Sequence, residues 1–146
     1  DPIAPLDYPP WQDEKLERQV VKVYTSSHLG GFVAVRDRAL RVATVGWTFL
    51  DMIREPDLCG GIYHILEVIE AHAATYLRLI INEIEQHSTK IDKVRAGYIL
   101  EERLELKNPT LELWQNEMRR GGSRKLYAKG EYSSRFLERW GLSINI

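Results

Sequence analysis

The sequence predicts an α+β fold in which strands from both ends of the chain meet beside a central group of helices. The middle of the chain repeats apolar residues at the spacing of helix faces, for example at Ile62, Ile65, Leu66 and Ile69. Residues 140–146 alternate apolar with small or polar side chains, which is the period of a half-buried strand. Because strand-forming residues also concentrate near the start, we expect one sheet with helices packed against it.

The N-terminal part is predicted to contain a strand followed by a β-hairpin. Residues 18–25 are rich in β-branched and aromatic side chains. After the break at Gly30-Gly31, the apolar segments 32–35 and 40–44 flank a short polar stretch, which is typical of a hairpin. The C-terminal strands are then expected to complete the sheet.

The central part is predicted to form a cluster of about four to five helices. A short helix over 46–55 ends at Pro56, and the pair Gly60-Gly61 opens the next helix. Ser88 or Thr89 is suited to cap a further helix. Asn108-Pro109 is a start signal for another, because proline at the first helical position gives up no hydrogen bond, and Gly121-Gly122 should end it.

Composition indicates a single globular domain spanning residues 1–146. The chain is 44% hydrophobic and 28% charged, which is ordinary for a folded protein of this length. Residues 1–12 are rich in proline and predict a linker. We expect a cytoplasmic protein without a membrane partner, because apolar runs stay far below the roughly 18 residues of a membrane span, the start does not resemble a secretory signal, and the single Cys59 excludes an internal disulfide.

Positive charge is concentrated near the end of the chain. Residues 119–139 hold seven Lys or Arg residues against two Glu, a net charge of +5 in a chain of net charge −1. Such cations neutralise phosphates, and the aromatic residues among them can stack on unpaired bases. The alternative is a solvated loop whose cations favour a helix C-terminus. With a second cluster on the hairpin, the candidate nucleic-acid-binding residues are Arg119, Arg120, Arg124, Lys125, Lys129, Arg135, Arg36 and Arg38.

The sequence contains no pattern typical of a catalytic or metal site. It has no phosphate-binding loop, nucleophile elbow or zinc-protease motif, and its four histidines do not form the convergent ligand set that zinc needs. Asp51 most resembles a site residue, three positions after Thr48 on the predicted helix. It could anchor a neighbouring site or pair with Arg95, but we favour a structural role through hydrogen bonds to the backbone. We therefore expect no catalytic residue, metal or cofactor.

Three segments, in order, resemble motifs of a known family. Residues 44–61, TVGWTFLDMIREPDLCGG, resemble the "ERTLxDxLxxPxLxGG" signature of the C-terminal domain of AbiEi-type antitoxins. Residues 95–101, RAGYILE, resemble its "RLGYLLE" helix, and residues 140–145, WGLSIN, resemble its closing "W-x-L-x-V-N" strand. Gly46-Trp47 replaces the Glu-Arg of the signature. The residues that match the motifs, for which we expect structural roles, are Thr48, Asp51, Gly60, Gly61, Arg95, Trp140 and Asn145.

The resemblance implies a non-catalytic domain of a transcriptional regulator from a type IV toxin–antitoxin system, in a setting of phage defence. Such proteins repress their operon through an N-terminal winged helix-turn-helix, which these residues do not contain, so operator DNA would be bound mainly by a preceding module. They also oppose a nucleotidyltransferase-like toxin without forming a tight complex. The basic segment would assist DNA binding or meet the nucleic-acid target of the toxin.

Two other functions remain open at this point. One is a metal-dependent enzyme that processes nucleic acid, although Asp51 has no clear companion carboxylate at a suitable spacing. The other is a structural module that dimerises a repressor. The sequence does not predict the oligomeric state, the DNA site or the identity of the toxin.

Overall fold

The structure, a computed structural model, describes residues 32–34, 41–118 and 124–146. Four helices and several short strands within these ranges confirm the α+β class. The elements in chain order are β1 (Phe32–Ala34), β2 (Arg41–Ala43), α1 (Val45–Arg54), α2 (Ile62–His87), α3 (Lys90–Gly97), α4 (Pro109–Met118), β3 (Arg124–Lys125), β4 (Phe136–Leu137) and β5 (Leu142–Ser143). The predicted strand over 18–25 and the predicted helix stop at Gly121-Gly122 lie outside the described residues.

The connection between α1 and α2 forms as the sequence predicts. Thr44 caps α1 by accepting a hydrogen bond from the backbone N–H of Trp47 at 3.2 Å. Pro56 then starts a 3₁₀ turn, Pro56–Cys59, that separates the two helices. Gly60 and Gly61 both have φ of 98°, a conformation that favours glycine because it has no Cβ. The proline and the glycine pair therefore end one helix and begin the next.

Helix α2 is 26 residues long and contains a kink at Tyr76, whose φ of −109° and ψ of 15° are not helical. The apolar repeat predicted at 62–69 lies before this kink, and a second apolar repeat at 77–84 lies after it, within one helix. Ile65, Ile69, Ile80 and Ile84 are fully buried. A single interrupted helix thus supplies much of the core.

Helices α3 and α4 begin at the predicted capping residues. The side chain of Thr89 caps α3, and Asp92 accepts the N–H of Thr89 at 3.0 Å in return, which completes a capping box. A π-helical turn, Tyr98–Arg103, extends α3. Asn108 Oδ1 accepts the N–H of Thr110 at 2.9 Å at the start of α4, and Trp114 on α4 is buried.

The strands form two separate sheets among the described residues, so the expectation of one sheet built from both chain ends is wrong for them. Strands β1 and β2 pair antiparallel with Phe32 opposite Ala43, which confirms the hairpin. The C-terminal strands form a second sheet in the order β3-β5-β4, with β3 parallel and β4 antiparallel to β5. Because β3 and β4 occupy both edges of β5, the hairpin has no edge of β5 on which to pair.

The C-terminal strand buries the side chains that its alternation predicts, and one more. Trp140, Leu142 and Ile144 are buried in the core, but so is Ser143, which was expected on the solvent face. Its hydroxyl accepts the N–H of Ser133 at 2.9 Å and donates to the carbonyl of Ser133 at 3.0 Å. These two hydrogen bonds satisfy the Ser143 hydroxyl, so it can be buried without water. Polar and apolar side chains therefore alternate along β5, but both kinds are buried.

Candidate nucleic-acid interface

The C-terminal sheet carries the described part of the predicted basic segment and is attached to α3 through Trp140. The indole ring of Trp140 lies so close to Gly97 that a Cβ at residue 97 would be 2.3 Å from Trp140 Cη2. Trp140 Nε1 donates to Glu101 Oε2 at 2.9 Å. A residue without a side chain is therefore required where the sheet meets the helix.

The three segments that match the AbiEi-type motifs all contact residues 125–127. Asp57, from the first segment, accepts the hydroxyl of Tyr127 at 2.8 Å. Arg95, from the second, donates from Nε to the carbonyl of Lys125 at 3.0 Å. Asn145, from the third, accepts the N–H of Tyr127 and donates to its carbonyl, each at 2.8 Å. Side chains that are far apart in the sequence thus hold one short segment, through the backbone of Lys125 and Tyr127 and through the Tyr127 hydroxyl.

Thr48 and Asp51 lie on α1, away from this meeting point. The exposed hydroxyl of Thr48 donates to the carbonyl of Thr44 at 3.0 Å. Asp51 is half-buried and accepts the indole N–H of Trp47 at 3.2 Å, and burial raises the pKa of its carboxyl above the usual value. The suggested pairing of Asp51 with Arg95 is wrong, because Arg95 donates its hydrogen bond to the carbonyl of Lys125 instead.

The pair Gly46-Trp47, which stands where the resembled signature has Glu-Arg, is explained by contacts within this chain. A Cβ at Gly46 would lie 2.6 Å from the carbonyl oxygen of Leu79 and 2.8 Å from Cβ of Glu83, so α1 and α2 approach too closely there for a side chain. Trp47 in turn supplies the hydrogen-bond donor that Asp51 uses. Both replacements are thus part of the contact network around α1.

Most cations of the described basic segment have partners within the chain. Lys129 Nζ lies 2.9 Å from Asp57 Oδ2, and Arg139 Nε donates to Glu101 Oε2 at 3.0 Å. Lys125 Nζ donates to the carbonyl of Gly130 at 2.9 Å and lies 5.2 Å from the ring centre of Tyr132. The positive charge that the sequence places on one segment is therefore partly neutralised by carboxylates of the helical region.

The hydrogen bonds around Asp57 shift the pKa values of all three partners. The contact with Lys129, followed by that with Tyr127, lowers the pKa of the Asp57 carboxyl. The same hydrogen bonds to Asp57 raise the pKa of Lys129 and of the Tyr127 phenol. The charged forms of Asp57 and Lys129 therefore stabilise each other, and the phenol is held in its protonated form.

Arg124 is half-buried on β3, and Arg135 is exposed beside Phe136. Phe136 and Arg135 border a cavity of about 440 Å³ between α2, the π-helical turn after α3, and β4. The other candidates, Arg119, Arg120, Arg36 and Arg38, lie outside the described residues. Among the described cations of the segment, Lys125, Lys129 and Arg139 thus have partners within the chain, whereas Arg135 borders the open cavity.

The described residues contain no group of three or more His, Cys, Asp or Glu side chains placed to hold a metal ion. His64 and His72 are exposed, and His87 is half-buried at the end of α2. Burial raises the pKa of the Cys59 thiol, which favours its protonated form at neutral pH. In the same ranges, no helix has both the length and the apolar character needed to cross a bilayer.

Sequence reasoning missed two carboxylates that each bind several partners, Asp57 and Asp92. Asp92 lies 3.0 Å from Nε of Arg54, which also donates to the carbonyl of His87. A local signal for Asp92 existed, since it follows Thr89 by three residues as a capping-box partner does. Asp57 has no comparable signal, because its partners come from the distant C-terminal sheet.

Comparison of the chain with protein-family models, with curated proteins and with solved structures finds no match. Its function is therefore inferred from the contacts within the chain.

Proposed function

We propose that this chain is the non-catalytic C-terminal domain of an AbiEi-type antitoxin, which acts in the cytoplasm, assists DNA binding and opposes a nucleotidyltransferase-like toxin. The observation that carries the proposal is the meeting of the three motif segments on residues 125–127. Asp57, Arg95 and Asn145 each contribute a hydrogen bond there, across separations of 70, 30 and 18 residues.

Short motifs that match a family by chance have no reason to meet in three dimensions. Here the second and third segments also pack directly on each other, since the Trp140 ring lies against Gly97. The glycine pair of the first segment, Gly60-Gly61, adopts positive φ angles that other residues rarely tolerate. Arg95, Trp140 and Asn145 therefore take part in contacts between the segments, as expected if the family pattern describes a shared fold.

The surface chemistry supports an association with nucleic acid. Lys129, Arg135 and Arg139 are exposed on the C-terminal sheet. The ion pair of Lys129 with Asp57 lies in water, where a phosphate competes readily with a carboxylate because exposed pairs are weakly bound. A DNA-binding module that precedes this domain would then supply sequence-specific contacts, while the sheet adds contacts to phosphates.

A co-expression experiment tests the proposal. The chain is produced in a bacterial host together with the nucleotidyltransferase-like protein encoded beside its gene, with an empty vector and an inactive toxin as controls. We expect the chain to restore growth without being retained on the tagged toxin, as type IV antagonism requires. Continued growth arrest, with folded chain present at levels similar to the toxin, would contradict the proposal.

A second experiment separates this function from the metal-dependent enzyme. The chain is incubated with labelled RNA, labelled DNA or nucleotides in the presence of magnesium or manganese. We expect every substrate to stay intact. Metal-dependent turnover that disappears in Asp51→Ala would replace the antitoxin proposal by the enzymatic one.

A further inference from the structure

The cavity between α2, the π-helical turn after α3, and β4 is large enough to hold a small ligand. Its volume is about 440 Å³, within the range in which proteins bind small molecules. Its wall includes two cations, two carboxylates and two aromatic rings, namely Arg103, Arg135, Glu70, Glu102, Tyr98 and Phe136. The exposed ring of Phe136 beside the cation Arg135 indicates which kind of ligand the cavity would bind.

Phe136 offers a flat apolar surface to solvent on a firmly held strand. Its side chain is 45% exposed, although β4 lies directly beside the buried strand β5. The backbone pairs Phe136 with Ser143, and the neighbouring carbonyl of Arg135 accepts the N–H of Ile144 at 2.8 Å. The backbone that carries the ring is therefore fixed before any ligand arrives, which lowers the entropic cost of stacking a planar group on it.

Arg135 is the cation of this wall that has no other partner among the described residues. Its backbone N–H donates to Ser133 Oγ at 3.1 Å, which orients the residue. Arg103, by contrast, lies 3.3 Å from Glu70, and Glu102 lies 3.7 Å from Arg139. The carboxylates of the wall are thus already paired with cations, and the guanidinium of Arg135 remains available for an anion.

We propose that this cavity binds one unpaired nucleotide of a single-stranded nucleic acid, with the base stacked on Phe136 and a phosphate held by Arg135. Guanidinium groups bind phosphate through paired N–H donors, and aromatic rings stack on bases of any sequence. A base inside a duplex has both faces covered by its neighbours, so a duplex cannot use the ring. This inference rests on the proposed nucleic-acid function and narrows its ligand to single strands.

Fluorescence anisotropy with labelled oligonucleotides of about ten nucleotides tests the inference. The probes are one sequence as single-stranded RNA, as single-stranded DNA and as duplex DNA. We expect both single strands to bind more tightly than the duplex. Phe136→Ala should weaken single-strand binding by roughly 5- to 150-fold, the range expected for loss of one stacked base. Arg135→Gln should reduce the slope of log affinity against log salt by about 0.7, the value for one phosphate contact on a single strand.

Two matched variants control for general effects of the substitutions. Tyr63→Ala removes an exposed ring on α2, and Arg78→Gln removes one exposed positive charge from the same helix. Both should bind single strands like the unchanged chain. Phe136→Tyr should also keep full affinity because it keeps the ring, and circular dichroism verifies that each variant is folded.

Two results would overturn the inference. One is single-strand affinity that is the same in Phe136→Ala and Tyr63→Ala. The other is duplex binding as tight as single-strand binding and equally lowered by Phe136→Ala. If growth rescue persists in either case, the proposed antitoxin function stands and only the cavity assignment fails. If growth rescue and all nucleic-acid binding are both absent, the proposed function fails as well.

Discussion

Two charged contacts of this protein use the same chemistry in opposite surroundings. Arg54 and Asp92 join α1 to α3 in the helical region, where their side chains are only 18% and 5% exposed. Lys129 and Asp57 join the C-terminal sheet to the turn after α1, where the lysine side chain is 66% exposed. Both pairs are about 3 Å apart, so distance alone does not distinguish them.

The difference lies in how many groups depend on each pair. Asp92 Oδ2 accepts from Arg54 Nε and from both the N–H and the hydroxyl of Thr89, while Arg54 also donates to the carbonyl of His87. Removing one member would leave a poorly hydrated charge without its partners, which is costly. The exposed pair can exchange its partner for water or for a ligand. The buried pair thus serves the fold, whereas the exposed pair remains available for binding.

The largest expected effect follows from removal of the buried carboxylate. Asp92→Ala should lower the free energy of unfolding by about 3–5 kcal/mol, because it leaves the Arg54 guanidinium unpaired and removes the cap of α3. Urea denaturation measures the change. The control is Glu117→Ala, which removes an exposed carboxylate 3.7 Å from Lys93 and should cost at most about 1 kcal/mol. If the free energy of unfolding fell equally in the two variants, burial would not explain how much an ion pair contributes to stability.

A smaller effect is expected where neutral hydrogen bonds hold the sheet. Asn145→Ala should lower the free energy of unfolding by about 1–3 kcal/mol, because the backbone N–H of Tyr127 loses its partner and its carbonyl keeps only the N–H of Gly130. Hydrogen exchange should show faster exchange of the Tyr127 amide, and Asn116→Ala on the exposed side of α4 serves as the control. An unchanged exchange rate at Tyr127 would mean that Asn145 does not hold the 125–127 segment.

The smallest effect concerns Asp51 and depends on pH. Burial raises the pKa of its carboxyl above the ordinary value of 3.8, so the folded state binds the proton more tightly than the unfolded state. Protonation therefore favours folding, and this contribution is lost as pH rises through the raised pKa. Asp51→Asn keeps an oxygen that accepts the Trp47 indole N–H but carries no charge, so it should raise Tm at neutral pH.

The gain from Asp51→Asn should shrink as the pH falls through the raised pKa of Asp51, because the native carboxyl then becomes neutral too. Thermal melts at several pH values follow this change, with Glu67→Gln on α2 as an exposed control. A lower Tm for Asp51→Asn at neutral pH would reveal that attraction to Arg54 outweighs the cost of burial.

Signals that act within a few residues were predictable from the sequence. Thr44, Thr89 and Asn108-Pro109 begin helices, and Gly60-Gly61 separates two of them, because capping bonds and positive φ angles depend on near neighbours. The candidate site was predicted less completely. The positive segment was recognised from its composition, but Asp57, Glu101 and the cavity beside Phe136 were not, since they depend on residues from other parts of the chain.

The α+β class, the starts of the helices and the concentration of positive charge near the end of the chain follow from patterns within the sequence. The partners that these charges meet are set by the three-dimensional fold. Lys129 and Arg135 are equivalent in a sequence pattern, yet Lys129 meets Asp57 and Arg135 faces an open cavity. Local patterns report charge and polarity, but partners are assigned by packing, which brings together residues that are far apart along the chain.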